Sequence, residues 1–165
     1  MNSFSHSIIE RWNEKVSRND NVYVVGDLFY KHKDPDNVLK QLNGKKRLVV
    51  GNHDGGWLKR LDASRYFLSV DHLAEISDGK HKLVLCHYPL MCWKHELKSY
   101  MIHGHIHNNT NQPYWPVIKN NPRLLNAGAD INGFEPVSFD QMLANNECFK
   151  ADTGAVLYNI KKAQK

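Results

Sequence analysis

Apolar residues recur with a helical period between Ser7 and Val16, at Ile8, Ile9, Trp12 and Val16, and a serine near the start can cap the free amides. The pattern then changes. Val22-Tyr23-Val24-Val25 is an unbroken apolar run closed by Gly26, and Arg47-Leu48-Val49-Val50-Gly51 repeats the design; both predict strands buried on two faces. Between them, Asp34-Pro35 supplies a cap and a first-turn proline for a helix carrying Val38, Leu39 and Leu42, which Asn43-Gly44 ends. Leu73–Ile76 and Lys82–Cys86 flank Asp78-Gly79, a turn dipeptide, and predict a hairpin that Pro89 stops. Tyr100–His103 and Arg123–Asn126 predict two further short strands, and Ser138-Phe139-Asp140-Gln141 has capping-box spacing for a short helix through Leu143. Strands alternating with helices predict an α/β layered domain, with one mixed sheet or two stacked ones.

Polar side chains with metal-binding chemistry stand at the ends of these strands. Asp27 follows Gly26, Asn52-His53-Asp54 follows Gly51, His87 follows Cys86, and His105-Ile106-His107 follows Gly104. In α/β sheets ligands collect beyond the carboxyl ends of strands, where loop side chains sit over a rigid base. Carboxylates, imidazoles and an amide oxygen form a mixed N/O set suited to Mn, Fe, Zn or Ni and poor for calcium or for a thiolate site. His105 and His107 alternate along an extended segment and so share a face. Gly26, Gly51 and Gly104 are expected to let the backbone turn sharply at the strand ends.

The remaining histidines carry no such pattern. His103 is expected to be structural, and His32, His72, His81 and His95 have no partner spacing. Cys86 and His87 are adjacent in an extended segment and point to opposite faces, which makes Cys86 a core thiol rather than a nucleophile. Trp93, Tyr114 and Trp115 are expected to pack.

Composition narrows the setting. A length of 165 residues fits one domain over 1–165, with a basic tail over 150–165 that ends in Lys161-Lys162-Ala163-Gln164-Lys165. No apolar run approaches the roughly 20 residues that cross a bilayer, and no secretory signal is visible, so a cytoplasmic location is expected. Three irregularly spaced cysteines give no disulfide framework and predict buried free thiols in a reducing compartment. The net charge of +5 favours anionic partners. Phosphate esters fit, and nucleic acid is permitted, but no contiguous Lys/Arg stripe marks a phosphate-backbone track.

The four strand-end runs, together with Ile9-Glu10-Arg11-Trp12-Asn13 and Leu125-Asn126-Ala127-Gly128-Ala129-Asp130 ahead of Pro136-Val137-Ser138, resemble the calcineurin-like metallophosphoesterase superfamily. The likeness is greatest to its small single-domain bacterial and phage members, and it covers roughly Ile8 to Leu143. It implies a layered sandwich of mixed sheets flanked by helices, and a hydrolase that cleaves phosphate mono- or diesters by direct attack of a metal-bound hydroxide. It also implies two divalent ions, with manganese first and iron, zinc or nickel as alternatives, held about 3.5–4 Å apart. Asp27 would bridge them; Asn52, His87 and His105 would hold the second, and His107 would help to hold the first. His53 would donate to the departing oxygen, oriented by Asp54.

Members of that superfamily begin with a strand ending in an Asp-x-His run that completes the first metal site, and no such run precedes Asp27 here. The expectation is an N-terminally truncated domain lacking the first central strand, with unpaired backbone groups left on Val22–Val25. His6 is a candidate substitute ligand. Two alternatives stay open beside the hydrolase: a catalytically impaired module that binds metal or phosphate, and a metal-dependent nuclease.

Overall fold

Successive side chains of the central strands enter different apolar cores, and this division builds the layers. In the computed structural model, which describes residues 3–151 and their side chains from Ser7 onward, the strands are β1 (Asn21–Val24), β2 (Lys45–Val49), β3 (Phe67–Asp71), β4 (Leu73–Ser77), β5 (Lys82–Cys86), β6 (Ser99–His103) and β7 (Leu124–Asn126). The helices are α1 (Ser3–Lys15), α2 (Pro35–Leu39), α3 (Gly55–Leu58), α4 (Trp115–Asn120) and α5 (Phe139–Lys150). One sheet is parallel, in the order β1-β2-β3; the other runs β4-β5-β6-β7, antiparallel between β4 and β5 and parallel thereafter.

On β2, Leu48 faces Ile9 of α1, Leu39 of α2 and Trp57 of α3, while Val49 faces Leu85, Ile102 and Leu125 of the second sheet. On β5, Leu83 and Leu85 turn to that inter-sheet core, and Val84 turns outward to Trp115, Ile118 and Phe149 of α4 and α5. The result is helices, sheet, sheet, helices, with three cores between them. The apolar runs of β2 and β5 are strands covered on both sides.

Several expectations need correction. The β1 run, expected to be buried on two faces, is only half-buried; among the described residues it pairs with β2 alone and forms the sheet's edge. Helix α5 runs on to Lys150, seven residues past the expected end, because Asn146 and Phe149 keep its inner face buried. Strand β3 is not predicted by the apolar pattern, because its sequence lacks a clean alternation: it too is an edge, with Leu68 and Val70 exposed. Of the three cysteines expected to be buried, Cys92 and Cys148 are exposed, and Cys86 is half-buried against the outer core of the second sheet. Trp115 packs as expected and Trp93 lies against the same core, but Tyr114 is exposed. Beyond Ala151 the basic tail lies outside the described residues, as does the side chain of His6. Among the described residues no helix is long and apolar enough to cross a membrane.

His103 ends β6 with no solvent exposure, its Nδ1 3.0 Å from the carbonyl oxygen of Gly104. Burial, above all, pushes its pKa down to about 4. The unfolded chain therefore takes up a proton below about pH 6.5 that the folded chain refuses until about pH 4, so stability falls as pH drops through that window. Urea unfolding in the presence of a chelator should show a loss of up to about 3 kcal/mol across it. A His103→Gln variant should flatten that dependence, and an unchanged slope would contradict this account.

Candidate metal centre

The chain leaves β1 through two left-handed residues, Gly26 at φ 82° and Asp27 at φ 54°. A Cβ on Gly26 would lie 2.2 Å from the His87 imidazole, so glycine is demanded there by both backbone and space. At Gly51 the reason is space alone: a Cβ would stand 2.3 Å from Oδ1 of Asp27, and no unusual φ is involved. Gly104 is likewise crowded, by the Val25 carbonyl. The expectation of sharp turns thus holds for Gly26, and the other two permit close approach of neighbouring loops.

These loops are held together by Asp54. Its side chain is fully buried, and its carboxylate accepts from four donors: the backbone N–H groups of Asp27 (2.8 Å), Leu28 (3.1 Å) and Gly51 (2.7 Å), and the indole of Trp57 (2.8 Å). None of them is His53. The expected role of orienting His53 is therefore corrected: with every lone pair occupied, this carboxylate fixes the backbone beneath the site.

Above that staple, Asp27 accepts the His53 backbone N–H at Oδ1 (2.8 Å) and brings Oδ2 to 3.2 Å from Nε2 of His87. His87 is buried, and its Nδ1 meets the carbonyl oxygen of Val25 at 3.0 Å. Because a carbonyl only accepts, Nδ1 donates to it, and the other ring nitrogen, Nε2, is the one turned to the site. Nε2 faces Oδ2 of Asp27 and, at 3.0 Å, Oδ1 of Asn52, which also lies 3.0 Å from Nδ1 of His105. Burial, and then the neighbouring His87, lowers the His105 pKa and favours its neutral form. Atoms able to ligate on Asp27, His87 and His105 thus lie within 4.8 Å of one another, with Oδ1 of Asn52 beside both imidazoles. A cation satisfies such a cluster, and its N/O donors fit the borderline divalent metals.

His107 stands apart from this group. It is largely exposed, with Nδ1 3.8 Å from Oδ2 of Asp130. Three of the expected ligands, Asp27, His105 and His107, hold positive φ (54°, 65° and 51°), a conformation costing roughly 1–3 kcal/mol and retained where surroundings enforce it. The enforcing groups near His107 were not singled out from the sequence. Asn126 donates to the His107 carbonyl (2.8 Å) and accepts from Gly128, Asp130 accepts from Asn108 (2.8 Å), and Asn132 and Asn146 hold the Asn126 carbonyl in turn. Asp130 Oδ1 is buried and unpartnered, one bond away from the network. The Leu125–Asp130 run signalled this loop without revealing what its polar side chains hold. His53 is exposed at the rim, its ring edge-on to Tyr30.

An Asp54→Asn substitution turns one acceptor into a donor facing backbone N–H groups, and it should cost about 3 kcal/mol in urea unfolding. It should also weaken divalent-metal binding in calorimetry. If stability were unaltered while only turnover fell, Asp54 would be acting on His53 instead.

Residues 3–154 match the calcineurin-like phosphoesterase family. The chain is similar to the uncharacterized protein MJ1445 of Methanocaldococcus jannaschii, with 29% identity over 137 residues that cover 81% of this chain and 70% of that protein. The fold is also that of the protein of unknown function AQ665 from Aquifex aeolicus, with a TM-score of 0.65, 22% identity, and 86% and 84% of the two chains covered. The family match takes in every strand-end run from which the centre is built, and on that extent of agreement the chain belongs to the calcineurin-like phosphoesterase family.

Proposed function

We propose that the chain hydrolyses phosphate mono- or diesters at a divalent-metal centre held by Asp27, Asn52, His87 and His105. The observation that supports this most directly is the convergence of N and O atoms able to ligate: Nε2 of His87 faces two oxygens at 3.0 and 3.2 Å, with a second imidazole at the same amide. A cation bound there would supply an activated water and positive charge for the phosphoryl oxygens. Asp27 and His107 would contribute to a second cation position, with manganese the first candidate and iron, zinc or nickel the others.

The chain's own groups divide the remaining work. The Val25 carbonyl holds His87 in the tautomer that ligates, and this outer contact also fixes its ring plane. His53, exposed beside Asp27 through its own backbone N–H, would face the ester oxygen that departs and donate a proton to it. The staple beneath keeps Asp27 and Gly51 at one spacing, so substrate meets a preorganised surface.

Turnover of a chromogenic aryl phosphate and of its diester, with Mn²⁺, Fe²⁺, Zn²⁺ or Ni²⁺ added, tests the reading. Asp27→Asn should abolish both metal uptake and turnover, while His53→Ala should keep metal and lose about 10²–10⁴-fold in kcat. Metal uptake without turnover of any ester would point to the binding module, and cleavage of DNA at low salt to the nuclease. Absence of both uptake and turnover would reject the proposal.

A further inference from the structure

Two tyrosines stand exposed at the rim, each against an imidazole of the centre. Tyr30 is 63% exposed, with its ring centroid 4.8 Å from that of His53 at an interplanar angle of 80°. Tyr88 is 46% exposed and lies edge-on to both His105 (4.6 Å, 64°) and His87 (5.1 Å, 74°). Neither exposure reflects a loose segment. Phe29, next to Tyr30, is buried edge-on against Trp57 at 5.2 Å, and two residues on the Arg60 guanidinium donates to the His32 carbonyl (3.0 Å). Tyr88 follows directly on the buried His87. The chain is pinned on both sides of Tyr30 while its ring is left in water.

Large aromatic surface left in water forgoes the burial that aromatic side chains normally find. Here two such rings border the groups that would carry the chemistry, and Lys31, at φ 49°, places its ammonium 5.2 Å from the Tyr30 centroid. Aromatic faces beside a cation suit a planar, electron-rich ring attached to an anion. An aliphatic alcohol would leave both tyrosines wet.

We propose that Tyr30 and Tyr88 form an aromatic clamp that selects phosphate esters whose alcohol carries a flat ring, either an aryl group or a nucleoside base. Tyr30, which touches His53, lies on the side of the departing alcohol, and Tyr88 lies on the side of His87 and His105. The proposal rests on the phosphoesterase reading for its site, but the ring-binding step is separable from hydrolysis.

The test compares phenyl phosphate, adenosine 5′-monophosphate and glycerol phosphate on the full chain with Mn²⁺, in the parent and in Tyr30→Leu, Tyr30→Phe and Tyr88→Leu. In either leucine variant, the kcat/KM ratio of an aromatic ester to glycerol phosphate should fall roughly tenfold, mainly through KM, and Tyr30→Phe should restore it. A fall confined to phenyl phosphate or to adenosine monophosphate would identify which ring source the clamp takes. Ratios unchanged in both leucine variants would overturn the clamp while leaving the hydrolase standing. If no ester is turned over, calorimetric binding of adenosine monophosphate decides: loss in the leucine variants with retention in Tyr30→Phe supports the clamp without the hydrolase, and equal or undetectable binding throughout overturns it.

Discussion

One buried carboxylate determines where the site can be. Asp54 gathers the backbone of the β1 exit loop and of the β2 exit loop onto a single pair of oxygens, and Trp57 clamps it from below. A buried ionised group is tolerated only when its lone pairs are filled, and here four donors fill them. The arrangement also works in reverse. The N–H groups of Asp27 and Leu28, in a left-handed turn outside any ladder, would otherwise lack partners, so the turn and the carboxylate require each other. Asp27 can face His87 because its own backbone is not free to relax.

The second constraint is the approach of the two sheets. Asp27 and Asn52 leave the parallel sheet, whereas His87 and His105 leave the mixed one. The bond between the His87 ring and the Val25 carbonyl crosses from one sheet to the other, and the crowding at Gly26 and Gly104 shows how little space separates the loops. The core formed by Val49, Leu85, Ile102 and Leu125 sets that separation. Interiors packed at crystal-like density do not deform smoothly, so a change of a methylene in this core shifts the donors as well as the stability.

Much of this was legible in the sequence because buried parallel strands announce themselves as apolar runs and their exits as Gly followed by a polar residue. The strands β1, β2, β5 and β6 and the four polar exits that follow them lie within one or two residues of where the pattern puts them. Edge strands were harder: β3, with Leu68 and Val70 exposed, lacks the covered faces that make a pattern. The short helix α3 carries two glycines and was hidden by its own composition. The role of Asp54 was misread for a different reason. The family resemblance implied that it orients His53, but the carboxylate goes inward to backbone donors that no side-chain pattern reveals. The Asn126, Asn132 and Asn146 network was missed on the same ground, since its partners are main-chain groups. The tyrosine rim escaped because exposure, rather than identity, distinguishes Tyr30 and Tyr88 from packing residues.

A centre assembled across two sheets ties ligand binding to folding. No single exit loop supplies enough donors for a cation, so the donor set exists only when both sheets are docked. An ion that binds the docked form and not the unfolded chain stabilises it in proportion to the logarithm of its concentration over Kd. It would also draw together Oδ2 of Asp27, Oδ1 of Asn52 and Nε2 of His87, which already face one another across about the distance of a hydrogen bond. The strain of left-handed Asp27 and His105 is thus borne by the inter-sheet core and the Asp54 staple, and repaid in the orientation of the donors. Stability and chemistry in this fold draw on the same contacts.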